Sequence, residues 1–300
     1  MHGYGFSRTE PGHRRVRLQP DRRVIVNTDL RYAVRGLRRS PGFACAAIVI
    51  LALGIAANGT VFTLLNGVLL RDLPLDDPDR IVMLRVRHVD NAQRADENLS
   101  FLELRDWQTA AQTFDGIGGY DEQTMNVSDE ERAPQRFEGA FVSANSFSII
   151  GRGPMIGRAL QPDDDREGAP AVVVLGWTVW QRRYQGHPDV IGRTIRVNGV
   201  PATIVGVMPE GFGFPTIAEI WRPLSGLGAD VRNDRRERLL TGFGRLRESA
   251  TIDQAAADLQ GVVASLALAY PDTNRNIEPR IEPFRSGIGG PIPALVGAMA

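Results

Sequence analysis

One stretch of this 300-residue chain limits its fold more than any other. Between Ser40 and Leu70 no side chain ionises except the thiol of Cys45, and residues 43–70 form a run of 28 apolar, small or uncharged polar residues. A helix needs about 20 such residues to cross a hydrocarbon core of roughly 30 Å. Three readings fit such a run: a retained transmembrane helix, a buried helix in a soluble core, and the apolar region of a cleaved signal peptide. Buried helices seldom run so far without a charge. A signal peptide carries about 7–15 apolar residues behind a short basic leader, whereas 40 residues precede Pro41 and its neighbours here. The expectation is a retained transmembrane helix over 43–70.

The charges are arranged around that run. Residues 1–40 hold ten Arg against Glu10, Asp21 and Asp29, and residues 71–300 hold 25 Arg against 32 acids, giving +7 and −7. Arg31, Arg35, Arg38 and Arg39 precede the span; Arg71 follows it among Asp72, Asp76, Asp77 and Asp79. The excess of positive charge on the N-terminal side predicts a cytoplasmic N-terminus and an extracytoplasmic main domain. Residues 28–39 alternate Leu30, Ala33, Val34 and Leu37 with Arg31, Arg35 and Arg38 at helical spacing, behind Thr28 as N-cap. That pattern reads either as an amphipathic helix on the inner leaflet, its Arg side chains facing acidic lipid headgroups, or as a solvated basic leader. Residues 1–27 read as a disordered basic leader. Within the span, Gly59, Thr63, Asn66 and Gly67 fall near one helical face. Small residues let membrane helices approach, and an Asn in lipid seeks a partner. The expectation is packing against other membrane helices, with interfacial solvation of Asn66 as the alternative.

Composition excludes several chemistries. All 35 basic residues are Arg, so the chain has no P-loop lysine, no lysine Schiff base and no pyridoxal-phosphate site. Cys45 is the single Cys, and the His at 2, 13, 88 and 187 show no ligand spacing. No GxSxG occurs, and no GxGxxG follows a strand. Asp163-Asp-Asp-Arg-Glu-Gly168 is similar to the start of a calcium loop, but position 12 is Val174, where a bidentate Glu is required. It reads as a solvated acidic turn. Arg182-Arg183, beside Trp177, Trp180 and Tyr184, reads as a solvated or ion-paired edge of an aromatic core, or as an anion site. Arg232, Arg235, Arg236 and Arg238 alternate with Asp230, Asp234 and Glu237, which argues against a nucleic-acid surface. No metal, no cofactor and no catalytic residue are expected.

After the span, periodicity predicts an α+β domain. Strands are expected at 80–89, 136–142, 171–175, 239–247 and 277–284, with extended chain at 116–120 and 123–127. Helices are expected at 100–114 behind a Ser100/Glu103 capping box, at 143–150, at 177–184 and at 251–270. Residues 194–207 read as a hairpin about Asn198-Gly199. A strand–helix–strand pattern thus recurs at both ends of the domain. It suggests an α+β subdomain made of 80–150 and 236–284, split by an inserted β-rich part at 152–235. Residues 289–300 turn apolar as the chain stops and read as the start of a truncated second transmembrane helix.

The segments Asp29-Leu-Arg-Tyr-Ala-Val-Arg-Gly-Leu-Arg-Arg-Ser-Pro-Gly-Phe43, Leu51-Ala-Leu-Gly-Ile-Ala-Ala-Asn58 and Val68-Leu-Leu-Arg-Asp-Leu-Pro74 resemble the N-terminal region of ABC-transporter permeases with a MacB-like periplasmic core domain, of the FtsX-like, duplicated type found in acidobacteria. Val142-Ser-Ala-Asn-Ser-Phe147, Ala171–Arg183, Ile191–Gly199 and Val205-Gly-Val-Met-Pro209 extend the likeness. The resemblance implies a porter-like α+β piece split by a β-rich insertion (periplasmic core domain 76–285). It implies an inner-membrane permease that works as a dimer with a cytoplasmic ATP-binding subunit, other permease helices, membrane lipids and a periplasmic adaptor. It implies no catalytic residue. Members carry further helices after this domain, so the chain reads as a truncated product or fragment. The leading expectation is a non-catalytic permease subunit of an export system. The alternative is a membrane-anchored periplasmic binding or sensory module with no transport role, and the third, a membrane-tethered enzyme, lacks a clustered titratable site.

Overall fold

Alternation in β1 (Ile81–His88) sends Ile81 and Met83 to one side of a sheet and Val82, Leu84 and Val86 to the other, and all five are buried. Both faces of that sheet are therefore covered. The computed structural model describes residues 76–90, 96–130 and 132–284, with Gly42 and Ala52 as isolated helical positions. The leader, the interfacial helix with Arg31, Arg35, Arg38 and Arg39, the helix-packing residues Gly59, Thr63, Asn66 and Gly67, and the segment 289–300 lie outside the described residues. Among the described residues no helix is long and apolar enough to cross a membrane.

The remaining elements, in chain order, are α1 (Phe101–Ala110), β2 (Phe114–Ser128), β3 (Gln135–Val142), α2 (Ser146–Ile150), β4 (Ile156–Gly157), β5 (Val172–Leu175), α3 (Trp177–Tyr184), β6 (Thr194–Val197), β7 (Val200–Val207), β8 (Ile220–Pro223), α4 (Ala229–Asn233), β9 (Thr241–Leu246), α5 (Ile252–Ala269), α6 (Pro271–Asn274) and β10 (Ile277–Pro283). The domain is mixed α+β. Its strands run in the order β10-β1-β9-β2-β3-β8-β5-β7-β4, with β6 paired to both β2 and β7.

Two parts of the sheet differ in construction. In the first, β10, β1, β9 and the start of β2 form an antiparallel layer backed by α1 and α5. The capping box at the head of α1 is formed: Ser100 Oγ accepts from the Glu103 amide at 3.2 Å, and Glu103 Oε2 accepts from the Ser100 amide at 3.0 Å. α1 stops at Ala110, short of the expected Phe114. The amides of Gln112 and Thr113 turn away from the helix to donate to Asp258 Oδ2 on α5, at 2.7 and 2.9 Å. α5 opens with a second capping box, Thr251/Gln254, and buries Ala255, Leu259, Val263 and Leu266.

The second part closes on itself. β2 pairs with β3, β3 with β8, β8 with β5, β5 with β7, β7 with β6, and β6 returns to β2. Closure of this kind removes the exposed strand edges that favour aggregation. The returning seam is short: Val127 faces Val197 and Ser128 faces Arg196. Asn126 and Asn198 extend it, with the Asn198 amide donating to Asn126 O and the Asn126 amide to Asn198 Oδ1, both at 2.8 Å. Asn198 and Gly199 make the tight turn between β6 and β7 with φ of 50° and 81°, the left-handed pair that a two-residue hairpin needs.

β2 joins the two parts. It pairs with β9 from Phe114 to Tyr120 and with β3 from Tyr120 to Val127. Where the partners change, Gly118 and Gly119 leave room that a side chain would fill. A Cβ on Gly118 would sit 2.8 Å from Phe243, and one on Gly119 would sit 2.7 Å from Leu104 of α1. The opposite face of the sheet is packed by an aromatic cluster, Phe147, Phe212, Phe214, Trp221, Phe243 and Phe284, with ring centroids 5.0–6.4 Å apart. The chain enters at the start of β1 and leaves at the end of β10, which lie side by side with Val82 opposite Pro283. β10 is an edge strand blunted by Pro279 and Pro283 and by alternating Glu and Arg.

Candidate functional site

The cleft beside the barrel seam is built by three elements. β2 ends at Ser128, and the following Asp129 is fixed from behind by α3. Arg183 of α3 has 4% side-chain exposure; its Nε and Nη2 lie 3.3 and 3.2 Å from Asp129 Oδ2, and its Nη1 donates to Ala133 O at 3.2 Å. The Tyr184 hydroxyl donates to the same Asp129 oxygen at 3.2 Å, and burial raises the Tyr184 phenol above its ordinary range. The expected ion-paired Arg of 182–183 is thus Arg183, while Arg182 is exposed.

In front of Asp129 is a cavity of about 490 Å³ lined by Ser128, Asp129, Glu130, Arg132, Tyr184 and the strand from Arg193 to Arg196. Arg132 lies over the Tyr184 ring at 5.1 Å and 3.7 Å from Asp129. Arg193 and Arg196 are exposed and are steadied by backbone carbonyls alone: Arg193 Nε donates to Asp189 O at 3.1 Å and Arg196 Nη1 to Gly199 O at 3.0 Å. Among the described residues neither has a carboxylate partner. Three guanidiniums and two carboxylates therefore line one cavity, with Arg183 behind Asp129. Sequence reasoning missed this grouping. The β2–β6 pairing joins segments 70 residues apart (Val127 and Val197), and only the Asn198-Gly199 turn hints at where β6 reverses.

A second unusual charge is Arg222 on β8. It stands opposite Phe141 on the face shared with Ile220, has 4% exposure, and lies over the Phe141 ring at 5.4 Å. Its Nε is buried without a hydrogen-bond partner, and burial pulls its guanidinium below the ordinary arginine range. In the first part of the sheet the corresponding buried charge is Glu103. It receives Arg238 at 2.7 and 3.2 Å and the Asn274 amide at 2.6 Å, besides the Ser100 amide.

Other sequence candidates separate rather than converge. Asp163 pairs with Arg166 at 2.9 Å and Asp164 with Arg158 at 2.7 Å, while Asp165 accepts the Ala144 and Ser225 amides. Among the described residues no three His, Cys, Asp or Glu side chains are grouped to hold a metal. Of the basic loop, Arg235 pairs with Asp106 at 2.8 Å and lies 3.7 Å over the Tyr270 ring, and Arg232 lies 3.5 Å from Glu167. His88 Nε2 is 3.1 Å from Glu97, and the His187 carbonyl accepts the Trp180 indole N–H at 2.9 Å.

Residues 45–262 match the family model of the MacB-like periplasmic core domain, and the chain belongs to that family. The fold is similar to a domain of a protein described as a permease from Porphyromonas gingivalis, with 15% identity and a TM-score of 0.54 over 70% of this chain and 92% of that one. It is also similar to the periplasmic region of MacB from Actinobacillus actinomycetemcomitans, with 12% identity and a TM-score of 0.52 over 76% of this chain and 97% of that one. At such identities the likeness concerns the fold. In sequence, 73 residues are 33% identical to the pyoverdine export ATP-binding/permease protein PvdT of Pseudomonas savastanoi pv. phaseolicola; they make up 24% of this chain and 11% of that protein.

Proposed function

We propose that the chain is a permease component of an ABC-type export system, anchored in the bacterial inner membrane with its N-terminus in the cytoplasm and the domain at 76–285 in the periplasm. In this reading residues 43–70 form the membrane helix, 28–39 lie on the inner leaflet, and Gly59, Thr63, Asn66 and Gly67 pack against other permease helices. Residues 80–150 and 236–284 form a porter-like subdomain, and 152–235 a β-rich insertion, with β2 of the first pairing with strands of both. A cytoplasmic ATP-binding subunit supplies the motion, the permease works as a dimer, and a periplasmic adaptor receives the output. The chain itself catalyses nothing.

The observation that carries this reading is the pairing of the first and last strands, with Val82 opposite Pro283. It sets the two ends of the described domain side by side, as required of a domain hung between two neighbouring membrane helices. Family membership and the partial likeness to an export permease support the same reading. Two measurements test it. Protease added to intact spheroplasts should digest the 76–285 domain; survival until lysis would reverse the topology. The full chain should co-purify with the ATP-binding subunit produced in the same cells, and a full chain that never associates with one rules out the transport role.

A further inference from the structure

We propose that the cleft at the barrel seam is a binding site for a small anionic ligand carrying carboxylate or phosphate groups, and that such a ligand clamps β6 to β2. The inference does not depend on the export reading, because it follows from the cleft alone. A volume of about 490 Å³ lies within the roughly 300–1,000 Å³ of small-molecule sites. The charge is of the right sign and placement. Arg193, just before β6, and Arg196, on β6, line the cleft, and each donates from one nitrogen to a backbone carbonyl with no carboxylate partner among the described residues. Arg132 approaches from the opposite wall, held over the Tyr184 ring. Planar guanidinium forks bind carboxylate and phosphate oxygens in pairs, which sets their preference over a plain positive field.

The two carboxylates do not cancel this. Asp129 is engaged by the buried Arg183 and the Tyr184 hydroxyl behind it. Glu130 is exposed at the rim, where water screens it. The location gives the site a consequence. Arg196 is opposite Ser128, one of the two register pairs that close the barrel, so a ligand held by Arg132 on one wall and Arg193 and Arg196 on the other spans the seam itself.

The test uses the full chain purified in detergent at low salt, with citrate and inorganic phosphate as probes in titration calorimetry. Saturable binding of at least one probe is expected, and R193Q/R196Q should weaken it by tenfold or more, since each charged hydrogen bond removed is substantial. These side chains are exposed, so the variant should melt at the wild-type temperature. A control variant, R166Q/R236Q, removes two exposed arginines outside the cleft and should bind as wild type. Hydrogen exchange at residues 126–128 and 196–198 should slow when the bound probe is added. Four results would overturn the proposal: no saturable binding of either probe, equal binding by R193Q/R196Q, equal loss in R166Q/R236Q, or unchanged exchange at the seam. Vesicles of phosphatidylglycerol form a separate arm. Vesicle binding that depends on Arg193 and Arg196 while neither small anion binds would assign the cleft to lipid headgroups and overturn the small-ligand assignment.

Discussion

Glu103 on α1 and Arg222 on β8 are both charged residues with almost no exposed surface, one in the helix-backed layer and one in the barrel. Glu103 is met by Arg238, Asn274 and the Ser100 amide, which tie α1 to the segments before β9 and after α5. Arg222 has an aromatic ring and no carboxylate among the described residues. A second contrast concerns acids. Burial raises Asp165 near the barrel above its ordinary range, and the Ala144, Ser225 and Leu224 amides only partly oppose it. At Asp258 on α5 burial pushes upward too, but the Thr113 hydroxyl, the Gln112 and Thr113 amides and Arg247 prevail and hold it below the ordinary value. The helix-backed layer uses buried charge to fasten its elements together. Within the barrel Arg183 is likewise paired, to Asp129, but Arg222 is held at an energetic cost, and the open cleft lies on the barrel's seam.

The largest effect should follow from breaking the Glu103 hub. Glu103→Ala removes the buried carboxylate that Arg238 and Asn274 share, leaving Arg238 with Thr273 O and the more distant Glu97, and should cost about 3–5 kcal/mol, seen as an early midpoint in urea unfolding followed by tryptophan fluorescence. Arg222→Met should go the other way, because it replaces an uncompensated charge with an apolar side chain of similar length. A gain of about 1–3 kcal/mol in the same assay is expected. A loss there comparable with that of Glu103→Ala would erase the contrast between the two parts.

Asp258→Asn sharpens the comparison through pH. The folded value of Asp258 is depressed, so its ionised form contributes stability above the unfolded value near 3.9, and this is lost as pH falls through the lower folded value. The variant should be about 1 kcal/mol less stable at neutral pH, allowing for solvent screening, and the gap should close on acidification below about pH 4. A gap that persists in acid would assign the effect to packing. The smallest effect, somewhat under 1 kcal/mol, is expected of Thr251→Ala, which removes the capping oxygen of α5 and should shift its melting slightly.

Local patterning carried much of this architecture. The span of α3, the Ser100/Glu103 capping box and the Asn198-Gly199 hairpin were legible because each depends on a few neighbouring residues. Two things were not. The end of α1 is decided by Asp258, 145 residues from the Thr113 amide it accepts, and no periodicity near Phe114 encodes that competition. The cleft depends on Arg132 and Arg196 meeting across the seam, and single arginines scattered through a chain of 35 look like solvated surface. Arg222 gave a fainter sign: within Ile220-Trp-Arg-Pro223 it stands on the same side as Ile220, although its residue type argues for solvent.

The pairing of β1 with β10 also has a mechanical meaning. The ladder runs from Val82–Pro283 to His88–Ile277, and its first rung joins the start of β1 to the end of β10. If one flank slides past the other along the strand axis, every rung is strained simultaneously and the domain moves as a stiff lever. If the flanks are drawn apart sideways, the rungs open in turn from Val82–Pro283, and β10, the edge strand among the described residues, peels away first.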